Sequence, residues 1–276
     1  MARRPIKILT ILCIGLVVMN CRFLINKMAF FPDRFDIPPV DRLPEGVAQV
    51  RIPTSDGQQL QCYWIPRSDS RRVLIYFHGN AGNISHRLPD LLNLARMNLN
   101  VLGVGYRGYG TSTGTPSEEG IYRDGQAALH HIIEKKGFDR GQIYLLGRSI
   151  GSTVAVEIAQ KMALAGVILV TPLTTAKAVA KANGLGIFSS LAGDAFNNSR
   201  KISELRAPLL IIHGTRDEII PFRLGRQLFD QAVVPKEFVA IEGAGHNDIN
   251  LAAAGRYWKA IEKWVNTDLK KLNGSR

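Results

Sequence analysis

The sequence predicts an α/β fold, a mostly parallel sheet with helices on both faces, entered through an antiparallel hairpin. Three observations carry that reading. Six near-continuous apolar runs of strand length recur along the chain, the pattern of strands covered on both sides. Helical patterns separate them, and that alternation winds a parallel sheet. At Gly147-Arg148-Ser149-Ile150-Gly151, two glycines bracket a serine between one such run and the next helical pattern.

In chain order the first element is an N-terminal segment, residues 1–31. Arg3, Arg4 and Lys7 precede an apolar run from Ile8 to Met19, charge followed by oil, which reads as a membrane anchor or signal-anchor. Spanning wants about 20 apolar residues, so the segment has to continue past Cys21 through Phe23, Leu24, Ile25, Met28, Ala29, Phe30 and Phe31, with Arg22 and Lys27 snorkelling. A cleaved signal peptide and a lipoprotein modified at Cys21 are rivals, against which stand the large residues Val18, Met19 and Asn20. A buried N-terminal helix is a further alternative. The basic cluster predicts a cytoplasmic N-terminus and a body in the periplasm of a bacterial inner membrane.

Residues 32–276 read as one domain. Val47 to Ile52 and Leu60 to Ile65 flank Ser55-Asp56-Gly57, turn chemistry between two strands. The apolar runs follow: Val73 to Phe77, Val101 to Val104, Ile143 to Leu146, Val167 to Val170, Leu209 to Ile212 and Phe238 to Ile241. Helices are expected near Ser85 to Met97, Ser117 to Lys135, Gly151 to Ala163, Phe222 to Ala232 and Ala252 to Leu269. Thr171 to Arg206 is too long for an ordinary connection and reads as a lid.

Composition narrows the function classes. A 46% hydrophobic content with 21% charged residues describes a globular chain rather than a disordered one. The formal net charge is +12, but Lys and Arg are scattered and form no dense tract with interleaved aromatics, so no nucleic-acid partner is expected. Cys62 is alone in the body, so no disulfide framework or cysteine-based zinc site can form there.

The chemistry is carried by loops at the carboxyl ends of strands. Ser149 sits on a turn so tight that side chains at its two ends would clash, hence the glycines, and it is the candidate nucleophile. A serine hydroxyl needs a base. His246 follows the last strand in Gly243-Ala244-Gly245-His246-Asn247-Asp248, and Asp217 follows the preceding one in His213-Gly214-Thr215-Arg216-Asp217. Their order, Ser then acid then His, fits Asp217 as the group that orients the base, with Glu218 and Asp248 as alternatives. Two amides are needed for the oxyanion: Ile150, after the nucleophile, and Asn80, with Ala81 as the alternative, in the glycine-rich loop after Phe77. His78 and Arg107 read as structural, Arg107 as the partner of a carboxylate. No metal and no cofactor is required.

These loops together with Tyr106-Arg107-Gly108-Tyr109-Gly110 resemble the α/β-hydrolase superfamily, and within it bacterial membrane-anchored hydrolases similar to the eukaryotic depalmitoylating α/β-hydrolases. The resemblance covers about Phe30 to Val265. It implies an eight-stranded sheet, the Ser149, His246 and Asp217 triad, and ester or thioester hydrolysis through an acyl-enzyme. A small-molecule or lipid-like acyl substrate and a membrane reached through the N-terminal segment are the expected partners; the oligomeric state is left open. Leu185, Ile187, Phe188, Leu191 and Phe196 in the lid would line an acyl site or pack the lid onto the body. A serine aminopeptidase is the alternative, requiring an acid such as Asp194 or Glu204 to hold a substrate amine. A non-catalytic membrane-surface binding protein is the remaining one.

Overall fold

The hairpin and the six apolar runs pair into one eight-stranded sheet in the computed structural model, which describes residues 26–186, 189–252 and 255–267. In chain order the strands are β1 (Ala48–Pro53), β2 (Gln59–Ile65), β3 (Val73–Phe77), β4 (Asn100–Val104), β5 (Ile143–Arg148), β6 (Gly166–Val170), β7 (Leu209–Gly214) and β8 (Lys236–Ile241). Their spatial order is β8-β7-β6-β5-β3-β4-β2-β1. β3 to β8 pair in parallel, while β2 runs antiparallel to both β4 and β1. The winding reverses at β3, which has β4 on one side and β5 on the other. A crevice therefore opens beyond the carboxyl ends of β3 and β5.

Both faces are covered, as near-continuous apolar strands require: every residue of β3, β4, β5, β6 and β7 is buried. The covering helices are α1 (Leu88–Ala95), α2 (Glu118–His130), α3 (Gly151–Ala159), α4 (Ala176–Ala182), α5 (Phe222–Gln231) and α6 (Arg256–Asn266). Leu91 and Leu94 of α1 and Ile261 and Trp264 of α6 pack on one face with Tyr76, Leu146 and Ile212. Ile121 of α2, Val154 and Ile158 of α3 and Leu224 and Leu228 of α5 pack on the other with Phe77, Leu145 and Ile211. Burying each of these side chains contributes about 1.5–3 kcal/mol.

Besides end shifts of a few residues, as where α3 stops at Ala159 rather than Ala163 and α6 starts at Arg256 rather than Ala252, the helices depart in kind from the sequence pattern at two places. The stretch expected as one helix from Ser85 opens with a 3-10 turn, Ile84–Arg87, because the Asn83 side chain accepts from Ser85 N at 2.8 Å and holds a tight first turn. The expected helix through Lys135 is α-helical only to His130 and then widens into a π turn, His131–Lys135. Within 171–206 the chain forms α4, whose N-cap Thr175 accepts from Ala178 N at 2.9 Å, and a short helix, Asn198–Lys201. Ile187, Phe188 and the Leu191 side chain lie outside the described residues.

The expected N-terminal anchor, residues 1–31, lies mostly outside the described residues as well. Among those described, no helix is long and apolar enough to cross a membrane; the longest α-helix, α2, has 13 residues against the roughly 20 that spanning needs.

Candidate active site

At the carboxyl end of β5 the chain turns into α3 with no room to spare. A Cβ on Gly147 would lie 2.4 Å from Gly151 O, and one on Gly151 would lie 2.2 Å from Phe77 O. Ser149 between them takes φ +53°, a left-handed conformation that costs a non-glycine residue about 1–2 kcal/mol. The Ser149 amide donates to Val170 O of β6 at 2.9 Å, and Ser152 Oγ donates back to Ser149 O at 2.6 Å. Packing over-determines the turn and offsets its strain.

The loop after β8 brings His246 to the same place. His246 Nε2 lies 3.1 Å from Ser149 Oγ, and its Nδ1 lies 2.8 Å from Asp217 Oδ2. Asp217, in the loop after β7, accepts from the amides of Ile219 at 3.0 Å and Ile220 at 2.7 Å through Oδ1. Burial opposes its ionisation, but hydrogen bonds from His213 and His246, with the Ile220 amide, hold the carboxyl well below the ordinary carboxylate range. The alternatives lie elsewhere: Asp248 Oδ1 accepts from Gly245 N at 2.7 Å, and a Cβ on Gly245 would lie 2.9 Å from Glu218 Oε2.

Asn80 and Ile150 both border the cleft beside Ser149. Neither amide donates to a backbone carbonyl among the described residues. The Asn80 carbonyl, by contrast, is pinned by Phe31 N at 3.0 Å and by Tyr109 Oη at 2.6 Å. Tyr106 Oη holds the His78 carbonyl at 3.0 Å. His78 is fully buried, its ring 4.4 Å from that of Tyr106, and burial pushes its imidazole down to about 3. Its Nδ1 lies 2.6 Å from Gly79 O, a contact that braces the loop. Arg107 donates to Asp124 at 2.9 Å and to Asp56 at 2.8 and 3.0 Å, the structural pairing that its glycine-rich turn suggests.

Two residues escape a reading of motifs. His213 Nε2 lies 2.8 Å from Ile220 O and 3.3 Å from Asp217 Oδ2, so a second histidine braces the carboxylate that touches the first. Its spacing of four residues from Asp217 is the signal in the sequence. A Cβ on Gly225 of α5 would lie 2.1 Å from His213 Nδ1, so only glycine lets that helix close over the ring. Arg148 Nη2 donates to His246 O at 3.1 Å and Asn247 O at 3.3 Å, tying the histidine loop to the serine turn. No sequence signal points to it, because its partners are carbonyls nearly a hundred residues away.

The cleft over these residues has a volume of about 760 Å³. Leu173, Val179, Leu185 and Phe196 of the insertion border it with Ile220 and Phe31. Phe196, 2% exposed, also packs edge-on against Phe30 with ring centroids 5.9 Å apart. The insertion thus both packs on the body and faces the cleft.

The human alpha/beta hydrolase domain-containing protein 17B is 35% identical over 221 residues, 79% of this chain and 75% of that protein. The chain belongs to the α/β-hydrolase superfamily. A Xenopus laevis hydrolase of the same group, protein 17C, is 35% identical over 239 residues, 86% of this chain and 75% of its own length. A family model described as serine aminopeptidase, S33, matches residues 68–201 of this hydrolase. Among solved structures, the Pyrococcus furiosus esterase Pf2001 aligns with TM-score 0.70 at 18% identity, covering 87% of this hydrolase and 98% of that chain. An α/β hydrolase from Vibrio vulnificus aligns with TM-score 0.71 at 21% identity, covering 88% and 92%. At such identities the likeness is one of fold.

The comparisons correct the expected localisation. Relatives at 34–36% identity include proteins from human, mouse, cattle and frogs, and no described helix is long and apolar enough to cross a membrane. Placement of the body in the periplasm of a bacterial inner membrane is therefore withdrawn.

Proposed function

We propose that this hydrolase cleaves carboxylic ester or thioester bonds of a small-molecule or lipid-like acyl substrate. The observation that carries the reading is the paired contact of His246, 3.1 Å from Ser149 Oγ and 2.8 Å from Asp217 Oδ2. Ser149 Oγ attacks the acyl carbonyl while His246 Nε2 takes its proton. Asp217 holds the Nδ1–H tautomer and stabilises the imidazolium that forms. The amides of Ile150 and Asn80 receive the oxyanion, and His246 then protonates the leaving alcohol or thiol. Water activated by the same histidine attacks the acyl-enzyme and frees the acid. The apolar wall of the cleft, shared between the body and the insertion at 171–206, accommodates the acyl chain.

A serine aminopeptidase is the second reading, favoured by the description of the matching family model. It would hold a substrate ammonium with an acid. No Asp or Glu borders the cleft among the described residues, and Asp194 pairs with Arg200 at 2.9 Å on the exposed side of the insertion. The ester reading is preferred on that ground.

The test is hydrolysis of p-nitrophenyl esters and acyl thioesters of increasing chain length, beside aminoacyl p-nitroanilides, by the full chain and its Ser149→Ala variant. The expected result is ester turnover reduced about 10³-fold or more in the variant. Turnover untouched by Ser149→Ala removes the nucleophile assignment, and a preference for anilides restores the aminopeptidase.

A further inference from the structure

Two arginines border the cleft beside Ser149 with no carboxylate partner. Arg87 is half-buried and Arg148 only 8% exposed. Neither makes an ion pair among the described residues. Arg87 Nη2 donates to Ala81 O at 3.0 Å, while its Nε is enclosed with no hydrogen-bond partner. Arg148 spends Nη2 on the carbonyls of His246 and Asn247. Asp90, the acid in the first turn of α1, is engaged by Asn250 Nδ2 at 3.0 Å. Elsewhere in the fold buried guanidinium is matched: Arg107 faces Asp124 and Asp56. Drawing a cation out of water without an anion is costly, so an unmatched pair at a substrate cleft calls for an anion from outside.

The position of the pair says which part of the substrate carries that anion. Side chains alternate along β5, so Arg148 points to the same face as Leu146, the face covered by α1 and α6. Arg87 immediately precedes α1. The apolar wall lies on the opposite side: Leu173, Phe196 and Ile220 belong to the cluster under α2, α3 and α5, and Val179 packs against it. Ser149 sits between an apolar end and a basic end.

We infer that Arg87 and Arg148 form an anion subsite on the leaving-group side of Ser149, so that the preferred substrate is an acyl ester or thioester whose alcohol or thiol carries a phosphate or carboxylate. The acyl chain lies against the apolar wall, and the anion is held by the two guanidinium groups until the leaving group departs. This rests on the hydrolase reading proposed above.

The test uses three octanoyl aryl esters that differ only in the ring substituent: a neutral amide, a carboxylate and a phosphate. The expected result for the full chain is kcat/KM about tenfold higher for an anionic ester than for the neutral one, the worth of one charge-assisted hydrogen bond. The carboxylate and phosphate arms tell the two anion sources apart. Arg87→Gln brings the ratio toward one and Arg87→Lys restores part of it, whereas a merely structural Arg87 would lower all three activities together. A native chain that does not distinguish the esters, or a ratio unchanged in Arg87→Gln, overturns the inference while leaving Ser149-dependent hydrolysis intact. Absence of Ser149-dependent turnover on every ester defeats the hydrolase reading instead. The subsite is then decided by calorimetry with phenyl phosphate and benzoate: binding lost in Arg87→Gln supports it, and no binding by the native chain overturns it.

Discussion

Ser149 and His78 show how single residues in this hydrolase are held in states they would not adopt in water. Ser149 keeps a positive φ because Val170 and Ser152 fix its amide and carbonyl. His78 keeps a neutral ring because burial, with Arg87 nearby, pushes its imidazole down to about 3. An unfolded histidine takes a proton near pH 6.5. Between those values the unfolded chain binds a proton that the folded chain refuses, so stability present above pH 6.5 is lost as the pH falls toward 3. About 2 kcal/mol of it should disappear by pH 5. Urea unfolding at pH 7 and pH 5 checks this: the loss should be smaller in His78→Asn than in the native chain, and an equal loss in both would assign it to other groups. Asp217 acts on the same side of the pH scale but lower, since its carboxyl is held below the ordinary range and its contribution is lost as the pH falls from that ordinary range through the depressed value.

At the scale of elements, the site depends on backbones that approach closely and on one buried ion network. Gly151→Ala would set a Cβ 2.2 Å from Phe77 O, forcing α3 away from β3. The expected cost is about 1–3 kcal/mol in stability together with loss of ester turnover, read by thermal melting and by the p-nitrophenyl assay. The Arg107 network holds the turn whose Tyr109 pins the Asn80 carbonyl. Arg107→Met leaves Asp124, fully buried, without its guanidinium, and should cost about 3–5 kcal/mol. The double variant Arg107→Met with Asp124→Leu should recover only part of that, because Asp124 Oδ2 also accepts from Arg107 N at 2.8 Å. Denaturant titration of both variants measures the difference, and a double variant as stable as the native chain would show that the backbone contact contributes nothing.

At the scale of the whole molecule, the insertion between β6 and β7 and the two faces of the sheet decide the shape of the cleft. Val179 of α4 borders the cleft from the insertion. Val179→Trp should fill part of the roughly 760 Å³ and move the preferred acyl chain to shorter lengths, with little change in turnover of the shortest ester. A chain-length profile that does not move would show that α4 is not part of the acyl site. The insertion is also tied to the serine turn: Asn198 Nδ2 donates to Ser152 Oγ at 3.2 Å and to Leu173 O at 2.9 Å.

The residues that determined most by themselves were those whose meaning is local. Apolar runs such as Val73 to Phe77 and Leu209 to Ile212 suited doubly covered strands, and the hairpin around Ser55-Asp56-Gly57 declared its own turn. Gly147 marked the tight turn at Ser149 because the clash it avoids is with Gly151 and Ser152, its neighbours in sequence, whereas the clash that Gly151 avoids, with Phe77 O of β3, shows only in the folded molecule. His246 and Asp217 were legible through their places after successive strands, since a parallel sheet brings all its carboxyl ends to one edge. Tertiary structure alone decided what depends on partners far along the chain. Arg148 reaches the carbonyl of His246, Tyr109 reaches that of Asn80, and His213 takes a share of Asp217. Arg87 and Arg148 are of the same kind: a guanidinium reads as a solvated surface charge until folding draws it into a cleft wall, and only the packed molecule shows that no carboxylate among the described residues pairs with it.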